Sequence, residues 1–221
     1  MLNNQKKAAL IMLGVIAVQA WPLLAIGVQP GGPAYLFRCF GPTSLASNSL
    51  AWGLALAVAL SYAALSMVSL PFIRAHMFEA TPLKGLAIVF ALVTGAFEEW
   101  FFRKWIMDAL AAHGADLLVQ AALSALAFGA VHAVWGLLGG SLRAAVKSIL
   151  FTTGLGLALA LVYLAAGRHL APAAWSHIVI NLIIEPWLML AVMELRREKT
   201  ARLQLATISI RRPGLFELRA L

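Results

Sequence analysis

The chain has 221 residues, of which 62% are hydrophobic and 12% charged, with a formal net charge of +8. A water-soluble domain carries about 25% charged residues, so at a mean hydropathy of +0.87 there is too little polar surface here to cover a soluble globule. The chain reads as an integral membrane protein, and its single cysteine, Cys39, excludes an internal disulfide and cannot by itself build a metal site.

A membrane-crossing helix takes about 20 mainly apolar residues. Six segments qualify: about Ala8–Val28, Ser49–Ile73, Leu86–Ala111, Leu117–Leu138, Ala145–Ala166 and Ala173–Met193. They predict an all-α polytopic membrane protein, a bundle of about six transmembrane helices, with none of the polar/apolar alternation of a barrel strand. The first segment follows Lys6 and Lys7 and is longer than the apolar stretch of a secretory signal, so it is expected to be an uncleaved anchor. Gln29–Asn48, rich in Gly and Pro, is expected to be an irregular extramembrane connection. Between the third and fourth helices, Gly114 suits a helix stop and Asp116 an N-cap. The fifth helix carries Gly154, Gly156 and Ala158, a small-residue packing surface with no chemistry of its own. Pro172 suits the first turn of the sixth. The basic tail Glu194–Leu221 contains LQLATISI, for which a short strand, a membrane-surface segment and disorder all stay open.

No internal repeat is found, and residues 1–221 are taken as a single integral membrane domain with a polar-motif core over about 86–193 and a basic cytoplasmic tail over 194–221. With the N-terminus in the cytoplasm, Lys6, Lys7, Arg74, Lys84, Arg143, Lys147 and the seven basic residues from Arg196 onward lie inside, 13 of 17. That asymmetry places both termini in the cytoplasm. The pI near 10.3 then reflects topology and anionic headgroups. Nucleic acid is not an expected partner, because the basic residues are split among loops and a tail.

Within the apolar segments the polar residues are few. Glu98 and Glu99 stand side by side in the third, where one ionised group costs about 2.5–3.5 kcal/mol on the gentlest insertion scale. Glu99 and Arg103 are four apart and share a face, while Glu98 lies about 100° round the helix. Arg103 is therefore expected to compensate Glu99 and leave Glu98 facing the bundle interior. Phe128 and His132 share a face of the fourth helix, and His177 and Asn181 a face of the sixth, with Ser176 alongside. Glu185 follows just before Pro186, where a kink is expected. Each polar group also fits interhelical hydrogen bonding, worth about 0.6 kcal/mol on average in membranes.

Taken in order, EEWFFR (Glu98–Arg103), FGAVH (Phe128–His132) and HIVIN (His177–Asn181) match EExxxR, FxxxH and HxxxN. The chain thereby resembles the CPBP family, the CAAX prenyl proteases and bacteriocin-processing or self-immunity (Abi) proteins, over roughly Leu86–Met193. The resemblance implies an intramembrane endopeptidase acting on a membrane-associated protein or peptide precursor, in a multi-pass protein of the bacterial inner (cytoplasmic) membrane. It implies that Glu98 is the general base and His132 its partner in holding a water. His177 and Asn181 would stabilise the tetrahedral oxyanion, and Glu99 and Arg103 would support the site. A cavity among the third, fourth and sixth helices is then required.

No cofactor is favoured, since a glutamate-activated water needs no metal. Were zinc used, Glu98, His132 and His177 would be its three ligands. Two readings of other classes stay open: a catalytically idle immunity or scaffold protein binding a peptide or partner, and a small transporter, against which the lack of paired halves speaks. The sequence specifies neither substrate, oligomeric state nor the role of Glu185.

Overall fold

The computed structural model describes residues 2–41, 48–138 and 141–211, and among these every regular element is helical. In chain order they are α1 (Leu2–Gly27), α2 (Gly32–Phe40), α3 (Ser49–Ser69), α4 (Pro71–His76) and α5 (Pro82–Glu99). A π-helical segment (Trp100–Met107), α6 (Asp108–Ala112), α7 (Leu117–Val131), α8 (Ala133–Leu138), α9 (Leu142–Ala165), α10 (Ala171–Ile184) and α11 (Trp187–Arg211) follow. Five stretches are long and apolar enough to cross a bilayer: 4–27, 49–69, 82–112, 117–138 and 142–165. A sixth arises if α10 and the first part of α11, bent by 46° at their junction, are counted as one broken span. The helical bundle expected from the sequence is present, with five to six candidate spans, the sixth a broken one.

The caps fall where local chemistry puts them. Thr81 accepts from the Lys84 amide at 3.1 Å and starts α5 with Pro82, four residues before the expected start. Asp116 accepts from the Val119 amide at 2.9 Å at the head of α7. Gly114 turns the chain before it at φ +81°, a conformation that a Cβ disfavours.

Three expectations need correction. The connection Gln29–Asn48 is partly helical, because after the Gly31 turn Pro33 opens α2 and its apolar side chains have a place to go. Cys39 is buried with Tyr163 and Leu170, and its carbonyl accepts the Leu170 amide at 3.1 Å. Positions 42–47 lie outside the described residues. The second span ends at Ser69, since Pro71 lacks an amide hydrogen and disfavours helical backbone at Leu70, and α4 starts anew. The tail is a continuation of α11 through Arg211, so LQLATISI is helical and forms no strand. Residues 212–221 lie outside the described residues. Glu185, whose role the sequence leaves open, is buried at the break between α10 and α11.

Small residues let the bundle close. Ala51, Ala55, Ala59 and Ala63, one per turn, line the buried face of α3 against α9 and α10. Gly95 on α5 lies against Ile178 of α10, where an added Cβ would stand 2.5 Å from the Ile178 Cγ1 and 3.2 Å from its backbone nitrogen. Outward, α1 exposes Leu10, Val18, Trp21 and Leu24 and α3 exposes Leu50, Leu56 and Leu60. So much apolar surface turned away from the core is what a helix bundle presents to lipid.

The close approach at Gly95 is testable. Gly95→Ala is expected to cost about 1–3 kcal/mol by overpacking and to lower the melting temperature in detergent. Ile178→Ala in the same chain should restore part of that loss. Full stability of the single variant would show that α5 and α10 separate freely.

Candidate active site

Helices α5 and α10 run antiparallel and are bridged at three levels. Near one end the Lys84 Nζ donates to the carbonyl oxygens of Leu182 and, at 2.7 Å, Glu185, satisfying acceptors at the end of α10. In the middle the Asn181 Nδ2 donates to the Thr94 Oγ1 at 3.1 Å, and the Thr94 hydroxyl donates to the Phe90 carbonyl at 2.8 Å. One turn further along α5, Glu98 and Glu99 meet His177.

Glu99 and Arg103 are both at 0% exposure, with the Arg103 Nε 3.0 Å from the Glu99 Oε2. The contact is an ion pair without hydrogen-bond alignment. Arg103 is completed from other helices: its Nη2 donates to the Gly156 carbonyl at 3.1 Å, and its Cζ lies 4.7 Å from the centroid of the Phe128 ring. A cation over an aromatic face recovers part of the hydration it has lost. The fifth helix, expected to serve packing alone, therefore supplies a carbonyl to the site. The π-helical turns that carry Arg103 also leave the Phe102 carbonyl to the Ser124 hydroxyl at 2.8 Å.

The other Glu99 oxygen, Oε1, is 2.9 Å from the His177 Nδ1. An ionised carboxylate only accepts, so Nδ1 carries the proton and Nε2 is the atom turned toward Glu98. His132 is oriented in the same sense by a different device. The helix breaks at His132, whose amide bonds to Gly129. The Phe128 carbonyl is then available to the His132 Nδ1 at 2.7 Å. A carbonyl only accepts, so here too Nδ1 is the donor. Both Nε2 atoms lie 3.8 Å from a single atom, the Glu98 Oε2, which is buried and has no hydrogen-bond partner.

Glu98, His132 and His177 thus converge from three helices, with Glu99 and Arg103 behind His177. The contacts bring Glu98, His132 and His177 to one level. Glu98 and His132 keep 14% and 17% side-chain exposure against 2% for His177, so the front of the site is reachable from outside the bundle and the back is not. Asn181 belongs to the neighbouring level with Thr94. With Nδ1 committed to Glu99, the His177 Nε2 donates only when the ring is an imidazolium. Among the described residues no three His, Cys, Asp or Glu side chains are grouped to hold a metal ion as they stand.

The spacing of the motifs missed Thr94, the Gly156 carbonyl and Gln19. Gln19, on α1, donates from Nε2 to the Glu98 Oε1 at 3.1 Å. Its signal was present in the sequence: between Ala8 and Gly27 it is the one amide among apolar and small side chains.

Residues 80–183 match the model of a family described as type II CAAX prenyl endopeptidase, Rce1-like. No curated protein and no solved structure matches the chain.

The ion pair at the back of the site yields a prediction for stability. Arg103→Leu leaves Glu99 buried with its main counter-charge gone, which is expected to cost about 3–5 kcal/mol. Adding Glu99→Gln should recover part of it. Unfolding in mixed micelles measures both, and a loss equal in the single and double variants would mean that Arg103 acts through packing alone.

Proposed function

Because the chain carries a domain of the Rce1-like family, a family of CAAX-type endopeptidases, over residues 80–183, we propose that it is an intramembrane protease with Glu98 as the base that activates water. The observation that carries this reading is the Glu98 Oε2, a buried carboxylate oxygen without a partner between two imidazole nitrogens. Hydrolysis of a peptide bond uses that arrangement in two steps. The Glu98 Oε2 takes one proton of a water while His132 Nε2 accepts its other O–H. The water oxygen adds to the scissile carbonyl carbon, and the carbonyl electron pair moves onto oxygen. The oxyanion is met by Nε2–H of the His177 imidazolium, which Glu99 stabilises from behind, and by the second amide hydrogen of Asn181, whose first holds Thr94. On collapse the C–N bond breaks and Glu98 passes its proton to the leaving nitrogen.

No step passes through a metal; the glutamate mechanism is preferred to zinc because a carboxylate-activated water needs no metal and gives Asn181 a role at the oxyanion. The substrate class proposed is a membrane-associated protein or peptide precursor. The distribution of basic residues supports both termini lying in the cytoplasm, on one side of an even number of crossings.

Newly formed protein termini, compared in membranes that express the chain or Glu98→Gln at equal levels, test the reading. Termini that form only with Glu98 intact are expected, with their rate falling about 10²–10⁴-fold in the variant, the range for a lost general base. An identical pattern from both would replace the protease with a binding or immunity protein. The Glu98-dependent cleavage is also expected to persist in the presence of 1,10-phenanthroline. Loss on chelation with recovery on added zinc would move the chemistry to a metal.

A further inference from the structure

A carboxylate base has two oxygens, and in this site they have different surroundings. The Glu98 Oε2 faces His132 and His177, while Oε1 is bonded by Gln19 from a helix outside the segment that matches the family. We propose that Gln19 is a positioning residue for Glu98: its amide fixes Oε1 so that Oε2 is presented to the two imidazoles. The inference rests on the role proposed for Glu98.

Three observations support it. First, the assignment of the amide atoms is forced, because an ionised carboxylate only accepts and turning the amide over would set two acceptors against each other. Second, α1 otherwise meets its surroundings through apolar side chains, with Ala8 and Met12 buried and Leu10, Leu13, Val18, Trp21 and Leu24 exposed, so a leucine at position 19 would suit its insertion better than an amide. Third, the Gln19 Oε1 is buried with no partner. An amide kept for stability would have both ends satisfied, whereas this one is committed at the end that touches Glu98. Without it, Glu98 has no other hydrogen bond among those described, and its χ angles are free to turn Oε2 away from His132 and His177.

Gln19→Met, nearly isosteric and without the donor, tests the role, with Gln19→Leu as the second variant in case the first inserts poorly. Two readouts are taken on the full chain in membranes. One is the rate at which the Glu98-dependent termini form. The other is the infrared carboxylate stretch assigned to Glu98 as the band present in the native chain and absent from Glu98→Gln. Loss of one hydrogen bond to a charged group is expected to slow cleavage about ten- to hundredfold and to shift that band, with the melting temperature unchanged. An unshifted band overturns the inference, whether the rate is native or has fallen together with the melting temperature, which would leave Gln19 a packing role. A shifted band with a native rate overturns it as well, since the contact would then exist without directing the base. If Glu98→Gln itself leaves the termini unchanged, the protease reading fails instead, and the band still reports whether Gln19 holds Glu98.

Discussion

The Glu99 carboxylate, at 0% exposure in an apolar bundle, has to be compensated where it stands, and the arrangement around it follows from that requirement. Arg103 provides the opposite charge but brings a guanidinium to be satisfied in turn. Gly156 and the face of Phe128 take up that demand. His177 takes the remaining carboxylate oxygen. Removing any partner of such a group leaves another buried and unpaired, at several times the cost of an exposed contact. The bundle is therefore held in one register by a few polar atoms, with the alanines of α3 and Gly95 of α5 allowing the backbones to come near enough.

The same atoms give the site its direction. Each imidazole is tied through Nδ1, one to a carboxylate and one to a carbonyl released by a helix break. In both cases Nε2 is left to face Glu98, so the geometry of the reacting groups depends on groups that stand behind them. The Phe128 ring takes part in more than one of these roles: it lies 4.5 Å from the His132 ring, 5.6 Å from that of His177 and 4.7 Å from the guanidinium carbon of Arg103.

Much of this was legible in the sequence, because membrane helices expose the cost of polar residues. Glu98, Glu99, Arg103, His132, His177 and Asn181 stand out against apolar neighbours, and i,i+4 spacing correctly paired Glu99 with Arg103. What was not legible depends on contacts between distant segments. α2 is too short to register as a span and is helical because Cys39 and its neighbours meet α9 and the turn after it. The interruptions at Leu70 and Pro186 follow from proline and were half visible, whereas the break at His132 has no breaker residue to announce it. Gln19 was plain as a lone amide, but nothing local says that its partner lies 79 residues on.

The antiparallel pair α5–α10 is bolted at three heights, by Lys84, by Asn181 on Thr94 and by His177 on Glu99. Sliding one helix along the other would break all three at once, so this side of the site behaves as a fixed jaw. The opposite side is held to Glu98 by one amide from α1 and by a 3.8 Å approach from His132. Glu98 is thereby gripped on both flanks of α5, by the bolted α10 on one side and on the other by an amide from α1, a helix that itself packs along α5.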